Sequence, residues 1–168
     1  MVGRLLEERT GWTSGDLRAG IDRADLSGTY DLVSLLVGVN DQYRGGGVEA
    51  YRSRFRAVLR RAVSLAGGEA GRVVVLSIPD WGATPFAEGR DRARIASGID
   101  RFNEVNRAET DGLGARYVDV TGVSRRPAPP GSEALFAPDG LHPSGVMYAE
   151  WARLALPHAI AALGGRLS

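Results

Sequence analysis

Apolar residues along the chain form three short, mostly continuous runs, separated by longer stretches in which they recur at helical spacing. The runs are Leu32 to Val37, Val73 to Ile78 and Tyr117 to Val120. A strand covered on both faces of a sheet is apolar throughout, and glycine or proline commonly ends it. Gly38 and Pro79 follow the first two runs. We therefore predict three buried strands.

Apolar residues at three- and four-residue steps predict three amphipathic helices. The first runs from about Val48 to Ala66, where Gly67-Gly68 ends it. The second runs from about Arg92 to Leu113 and the third from about Ser144 to Leu163, in which Pro157 could introduce a kink or a break. The residues predicted to face inward are Val48, Tyr51, Phe55, Val58, Leu59, Ala62 and Val63 in the first helix, Ile95, Ile99, Phe102 and Asn106 in the second, and Met147, Tyr148, Trp151 and Ala155 in the third.

Strands that alternate with helices are typical of a parallel α/β sheet. At 168 residues the chain has the length of one domain, and no internal repeat divides it. We therefore expect a single α/β domain over residues 1–168.

Composition excludes several classes of function. The formal net charge of +1, from 21 basic and 20 acidic residues, gives no electrostatic case for a nucleic acid or an anionic membrane as partner. The absence of cysteine excludes a disulfide framework, a thiolate zinc site and a catalytic thiol. No apolar run approaches the roughly 20 residues that span a bilayer. Residues 1–8 lack the pattern of a signal peptide, so we expect a cytoplasmic protein unless an upstream leader has been lost.

Three short polar stretches fall in predicted loops, where an α/β fold places its chemistry. They are Thr10 to Leu17, Gly38 to Asp41 directly after the first strand, and Asp139 to Pro143 before the last helix. Each has a plain structural interpretation: helix capping by Thr13 or Ser14, a strand-to-loop turn, and a local Asp–His pair.

Taken together and in this order, the three stretches resemble the sequence blocks of the SGNH (GDSL-like) hydrolases. That family has a Gly-Asp-Ser near the N-terminus, then a glycine, a Gly-x-Asn-Asp, and an Asp-x-x-His near the C-terminus. Gly11 matches the glycine, Gly38 to Asp41 the third block, and Asp139 with His142 the last. The resemblance implies a flavodoxin-like three-layer α/β sandwich with a parallel sheet in the order 2-1-3-4-5.

The resemblance also implies a role for each matching residue in acyl transfer, which needs a nucleophile, a base and donors for the oxyanion. His142 would be the base, and Asp139 would hold its ring in the useful tautomer. The Asn40 amide and the Gly11 backbone N–H would donate to the oxyanion, while Asp41 is expected to fix the loop. If this is right, Asp139 and His142 lie at hydrogen-bonding distance, and Asn40 and Gly11 share one rim.

Other residues of these loops have alternative interpretations. Trp12 and Trp81 could line an acyl pocket or simply anchor their loops. His158, within the last predicted helix, is expected to be a surface or packing residue. Arg44 to Gly47 could be taken as a phosphate-binding loop, but the stretch lacks the Lys-Ser/Thr ending of a P-loop.

The Gly-Asp-Ser block of the family occurs nowhere in the 168 residues. In the family this serine ends the first strand, and a strand, a helix and a second strand before Gly11 would need roughly 30 residues or more. We expect that an upstream segment has been lost and that Leu5 to Arg9 is the tail of the second strand. A serine-free pseudoenzyme is the alternative. Ser14 and Ser144 are expected to cap helices rather than to act as nucleophiles.

The activity implied by the resemblance is hydrolysis of a small or medium-sized carboxylic ester or thioester, without metal or cofactor. The rival is a non-catalytic α/β module that binds an acyl or sugar ligand. In the family's strand order the missing first strand would lie beside Leu32 to Val37. Its loss would leave an unpaired edge and uncovered apolar faces, which the Val2 to Leu6 stub is too short to fill. We therefore expect self-association through this edge.

Overall fold

The computed structural model describes residues 11–24, 26–126 and 135–164. The predicted tail of the second strand, Leu5 to Arg9, lies outside these ranges. The elements in chain order are α1 (Ser14–Arg23), β1 (Val33–Leu35), α2 (Val39–Tyr43), α3 (Val48–Leu65), β2 (Val73–Leu76), α4 (Arg92–Leu113), β3 (Arg116–Val118), α5 (Thr121–Ser124) and α6 (Gly145–Ala162). Single 3₁₀ turns occur at Ala70–Arg72, Trp81–Ala83 and Pro85–Ala87.

The three strands form a parallel sheet in the order β1-β2-β3. Val33 pairs with Val73 across the first ladder, and Val75 pairs with Tyr117 across the second. β1 and β2 lie within their predicted runs and are shorter than them, whereas β3 begins one residue before its run and overlaps it at Tyr117 and Val118. The predicted α/β fold with a parallel sheet is confirmed.

Helices cover both faces of the sheet and so make the three layers. On one face, α3 and α4 pack through large buried side chains that include Phe55, Leu59, Ile99 and Phe102, around a core that takes in Val73 and Val75 of β2. On the other face, Met147 and Trp151 of α6 pack with Val74 and Val118. Because β2 contributes side chains to both cores, it is apolar throughout.

The long helices begin and end close to the predicted residues, because local signals mark their ends. Asp91 caps α4 by accepting a hydrogen bond from the Arg94 N–H, and Gly114 ends that helix with a φ of 74°. α6 continues through Pro157 without a break. The prediction that Tyr148 faces inward is wrong: its ring is about half exposed, while its neighbours Met147 and Trp151 are buried.

The β1 strand is covered on one face only. Leu35 and Val37 are buried against the α3–α4 side, whereas Ser34 is exposed and Leu36 is 40% exposed. Within the described ranges, β1 pairs with β2 and with no other strand. In these ranges one edge of β1 has no strand beside it, its α3–α4 face is covered and its other face is not. The Val2 to Leu6 stub lies outside the described residues, so the unpaired edge stays a prediction.

Candidate active site

The loops that follow β1 and β2 lie at the carboxyl end of the parallel sheet, where such folds bind their ligands. α2 begins four residues after Leu35, the last residue of β1, and it carries Asn40 and Asp41. Trp81–Ala83 and Pro85–Ala87 follow β2. The Asp139 to His142 loop precedes α6 and contacts the second of these turns through a backbone hydrogen bond.

Gly38 opens the loop after β1 in a backbone conformation that L side chains rarely adopt, with a φ of 122°. A Cβ at this position would also collide with the Tyr51 hydroxyl and with Ile78. The buried Tyr51 hydroxyl is a hydrogen-bond donor. Its two acceptors are Asn106 Oδ1 at 2.6 Å and the Val37 carbonyl oxygen at 3.2 Å. Burial raises the pKa of Tyr51, so its hydroxyl stays protonated and holds the end of β1. This packing explains why the third block begins with glycine.

Two side chains of the α2 region hold the Gly11 loop. The Asn40 amide Nδ2 donates to the Trp12 carbonyl at 2.9 Å, and Arg44 Nη2 donates to the Gly11 carbonyl at 2.7 Å. Gly11 has a φ of 88°, which favours glycine there. Since an amide nitrogen has two hydrogens, the bond to Trp12 fixes the Asn40 side chain and leaves one N–H for a ligand. Asn40 and Gly11 thus lie on the same rim. Arg44 donates to a backbone carbonyl, which gives no support to the interpretation of Arg44 to Gly47 as a phosphate-binding loop.

The Asp41 carboxylate is buried and joins α1 to α2. It accepts from the Ser14 N–H at 2.7 Å, from the Ser14 hydroxyl at 2.8 Å, and from Arg54 Nε at 3.2 Å. The prediction that Ser14 caps α1 is wrong. Thr13 is the N-cap, in a reciprocal capping box with Asp16. Ser14 is completely buried and its hydroxyl is engaged, so it is closed to a substrate.

Asp139 and His142 form a hydrogen-bonded pair: His142 Nδ1 lies 2.6 Å from Asp139 Oδ2. The other carboxylate oxygen, Oδ1, accepts from the backbone N–H groups of Leu141 and His142, each at 2.9 Å. The His142 hydrogen bond, followed by these two backbone bonds, lowers the pKa of the Asp139 carboxyl to about 2. An ionised Asp139 at Nδ1 selects the tautomer in which Nδ1 carries the proton, and it leaves the Nε2 lone pair free.

Backbone hydrogen bonds close the loop that carries this pair. The Ala137 N–H donates to the His142 carbonyl at 2.8 Å, and the Ser144 N–H donates to the Leu135 carbonyl at 2.9 Å. Gly140 takes a φ of 70° at the tip. The Ser144 hydroxyl accepts from the Met147 N–H, so its predicted role as the N-cap of the last helix is confirmed. The loop is therefore held independently of any ligand.

The two tryptophans occupy different environments. The Trp12 ring packs against Gly20 of α1, where a Cβ would collide with it, so this ring holds its loop to the helix. The Trp81 ring is buried, and its Nε1 donates to Gln42 Oε1 of α2 at 2.8 Å. His158 lies within α6, away from the Asp139 loop in sequence, and is partly exposed.

Tyr43 and Phe86 flank Trp81, and neither was among the residues predicted for the site. The Tyr43 ring centroid lies 5.2 Å from that of Trp81, and the Phe86 centroid lies 6.4 Å from it. Phe86 also joins the histidine loop, because its N–H donates to the Gly140 carbonyl at 3.0 Å. The cluster thus links α2, which carries Asn40, to the loop of Asp139 and His142. The only sequence signal for it was the position of these aromatics directly after the Asn-Asp block and after Trp81.

Neither a metal-binding cluster nor a membrane-spanning helix occurs in the described ranges. No group of three or more histidine and carboxylate side chains there could hold a metal ion. None of the helices in those ranges is both long enough and apolar enough to cross a bilayer.

Comparisons with known proteins identify the family and the fold. Residues 3–150 match the model of the GDSL-like lipase/acylhydrolase family. A comparison with curated protein sequences gives no match. Among solved structures, the chain is similar to Axe2, an acetylxylan esterase from Geobacillus stearothermophilus, at 20% identity and a TM-score of 0.67, covering 89% of this chain and 68% of that one.

Two further structures share the fold. LAE5, an α/β hydrolase enzyme from the metagenome of Lake Arreo, Spain, is similar at 23% identity and a TM-score of 0.61, over 92% of this chain and 69% of that one. TesA is similar at 19% identity and a TM-score of 0.61, over 90% of this chain and 74% of that one. Identities this low show the fold alone, whereas the family match extends over most of the sequence. The chain therefore belongs to the GDSL-like lipase/acylhydrolase family, a family of ester hydrolases.

Proposed function

We propose that the chain supplies the general base and the oxyanion donors of a serine hydrolase that acts on small or medium-sized carboxylic esters or thioesters. The observation that carries the proposal is the pair of His142 and Asp139, with Nδ1 and Oδ2 2.6 Å apart. The pair leaves Nε2 of a half-exposed imidazole free, which is the arrangement a general base needs.

In the proposed reaction, His142 Nε2 takes the proton of a serine hydroxyl as the serine oxygen attacks the ester carbonyl carbon. The bond from that carbon to the leaving oxygen or sulfur then breaks, and His142 returns the proton to the leaving group. A water molecule then attacks the acyl-serine, with His142 again as the base. The bond from the acyl carbon to the serine oxygen breaks, the serine regains its proton from His142, and the carboxylic acid is released. Asp139 stabilises the imidazolium that forms in each step without itself taking the proton.

The negative charge that develops on the carbonyl oxygen would be bound by the second Asn40 N–H and by the Gly11 backbone N–H. Support comes from the Trp12 carbonyl, which holds the Asn40 amide in place at 2.9 Å before any substrate arrives. A donor fixed in advance needs no reorganisation in the transition state, and one such donor contributes about 10²–10³ in kcat.

The nucleophile itself would lie outside the 168 residues. The sequence has no Gly-Asp-Ser, Ser14 is bonded to Asp41, and Ser144 caps α6. We propose that a preceding segment ending in Gly-Asp-Ser places the serine at the carboxyl end of the sheet, and that the 168-residue chain alone is inactive. Axe2, whose structure is similar to that of this chain, is an acetylxylan esterase, so acetylated sugars are one candidate class of ester.

The alternative is a non-catalytic module that uses the same cleft to bind an acyl or sugar ligand. It differs in what it requires of His142: a binding module has no need of a hydrogen-bonded Asp–His pair with a free ring nitrogen. For that reason the paired geometry favours the hydrolase.

Hydrolysis of p-nitrophenyl acetate by a form that carries the upstream segment tests the proposal. We expect His142→Ala to abolish turnover and Asn40→Ala to lower kcat by about 10²–10³ while KM changes little. Tyr148→Leu, a change at a half-exposed ring of α6, is the matched control and should leave both constants unchanged. Full activity in the His142→Ala form would refute the proposed base.

A further inference from the structure

Arg44 contacts both of the residues that we propose as oxyanion donors, although it lies outside the Gly-x-Asn-Asp block. It ends α2, and its backbone N–H donates to the Asn40 carbonyl at 3.1 Å. Its side chain reaches a residue 33 positions away in sequence, because Nη2 donates to the Gly11 carbonyl at 2.7 Å. A charged donor at this distance makes one of the stronger hydrogen bonds found in proteins. Arg44 therefore connects the helix of Asn40 to the loop of Gly11.

The Gly11 loop depends on such contacts because glycine has no side chain of its own to pack. Gly11 takes a φ of 88°, and glycine loses more backbone freedom on folding than any other residue. The next carbonyl, that of Trp12, is held by the Asn40 amide at 2.9 Å. The bond from Arg44 holds the carbonyl of Gly11 itself. With that peptide plane held, the direction of the Gly11 N–H is set by the two backbone dihedrals of Gly11 alone.

The ion pair that Arg44 makes is weaker than this backbone contact. Nη1 lies 3.8 Å from Asp16 Oδ2, well beyond the roughly 2.7–2.9 Å of a charge-assisted hydrogen bond. The same Asp16 oxygen accepts from the Thr13 N–H at 3.0 Å and from the Thr13 hydroxyl at 2.7 Å. The Arg44 side chain is 58% exposed and that of Asp16 is 50% exposed, and ion pairs this exposed contribute little to stability. The bond to Gly11 is thus the contact that orients the Arg44 side chain.

We infer that Arg44 is a positioning residue for the oxyanion site: it holds the Gly11 N–H in place relative to the Asn40 amide without itself touching the substrate. The inference rests on the proposed function for the roles of Gly11 and Asn40 as donors, whereas the contact between Arg44 and the loop does not depend on it. A donor that shifts from its place stabilises the oxyanion less, because a hydrogen bond weakens steeply with distance and angle. Since arginine stays protonated at every working pH, the effect of Arg44 is independent of the titration of His142.

Hydrolysis of p-nitrophenyl acetate by the form that carries the upstream segment gives the first test. We expect Arg44→Ala to lower kcat about tenfold, because both donors remain but are held less precisely, whereas loss of one donor costs about 10²–10³. KM should change little, and the pH profile of kcat should keep its midpoint. Arg44→Lys keeps a charged donor and should recover part of the loss. Arg153→Ala, which removes an arginine of α6 whose side chain is 64% exposed, should change neither constant.

Nitrogen-15 NMR relaxation of the 168-residue chain gives the second test, which needs no nucleophile. The order parameter of the Gly11 N–H should fall from about 0.85 to below about 0.6 in Arg44→Ala, because the loop loses a bond to α2. The amides of α3 should keep their values in this variant, which would show that the fold is intact. In Arg153→Ala the order parameter of Gly11 should be unchanged.

Three results would overturn the inference: an unchanged order parameter of Gly11 in Arg44→Ala, an unchanged kcat in an active form, or a shift of the pH profile in place of a loss of kcat at every pH. Failure of the proposed function would look different. In that case no form of the protein would hydrolyse esters, while the order parameter of Gly11 would still fall in Arg44→Ala.

Discussion

Ser14 donates two hydrogen bonds to the carboxylate of Asp41, from its backbone N–H at 2.7 Å and from its hydroxyl at 2.8 Å. This contact joins the start of α1 to α2 and so fixes the Gly11 loop relative to Asn40. Arg54, at 3.2 Å from Asp41, balances the buried charge. The last residue of the Gly-x-Asn-Asp block therefore fixes the position of Asn40 and the Gly11 loop, which we propose as the oxyanion donors.

The first prediction follows from this contact. Asp41→Asn should lower the free energy of unfolding by about 2–4 kcal/mol, because a neutral amide turns an N–H towards groups that are themselves donors. Ser14→Ala removes one of the two bonds and should cost about 1–2 kcal/mol. Urea denaturation measures both. A neutral effect of Asp41→Asn would contradict the structural role given to this carboxylate.

Gly38 provides the second prediction. Gly38→Ala should destabilise the fold by more than about 2 kcal/mol, because the new Cβ meets the Tyr51 hydroxyl and Ile78 and because the φ of 122° is unfavourable for alanine. Gly122 of α5 is a matched control: its Cβ would meet nothing within 4 Å. Gly122→Ala should be neutral or slightly stabilising in the same denaturation experiment. Equal effects of the two substitutions would contradict this explanation of the glycine at position 38.

How much could be predicted from the sequence depends on how local each feature is. The bounds of α3 and α4 were predictable because periodicity, Asp91 and the terminal glycines act within a few residues of the helix. The Ser14–Asp41 bond was not, since a serine beside Thr13 matches a capping pattern equally well. α2 begins in a stretch that the sequence predicts as a loop, because five helical residues carry too short a period to detect.

Separation along the chain also decides which contacts of the candidate site were predictable. The Asp139–His142 pair was predictable because three residues separate its members in sequence. The aromatic cluster around Trp81 brings Tyr43 and Phe86 together across 43 positions, and no local pattern indicates such a contact. Tyr148 lies one position from the buried Met147, and helical periodicity alone assigned it to the wrong side.

The third prediction concerns the acidity of Asp139. Its pKa of about 2, against an ordinary value of 3.8, arises mainly from the hydrogen bond of His142. Because the folded-state pKa is lowered, the stabilisation by this carboxylate is present above about pH 4 and is lost as the pH falls through about 2. A ¹³C NMR titration of the Asp139 carboxyl should show this midpoint, and His142→Ala should raise it. An identical midpoint in the two proteins would show that the pair does not form in solution.

The fourth prediction concerns association through β1. The 168-residue chain should elute from size exclusion as a dimer or aggregate and should bind a hydrophobic dye, because β1 has an edge without a strand partner in the described ranges and Leu36 is 40% exposed beside it. Leu36→Lys should shift the protein towards monomer. Leu156→Lys, at a leucine of α6 that is 52% exposed, should not. A monodisperse monomer with a sharp thermal transition in the unsubstituted chain would refute the prediction.

We propose that this chain holds the base and the oxyanion donors of an esterase, and that the nucleophilic serine lies on a segment outside the 168 residues. Labelling with a fluorophosphonate probe, followed by mass-spectrometric mapping of the modified residue, distinguishes this arrangement from a nucleophile within the chain. We predict no labelled serine in the 168-residue chain, and labelling at the serine of Gly-Asp-Ser in a form that carries the upstream segment. Stoichiometric labelling of Ser14, Ser144 or any other serine of the 168-residue chain would contradict the claim.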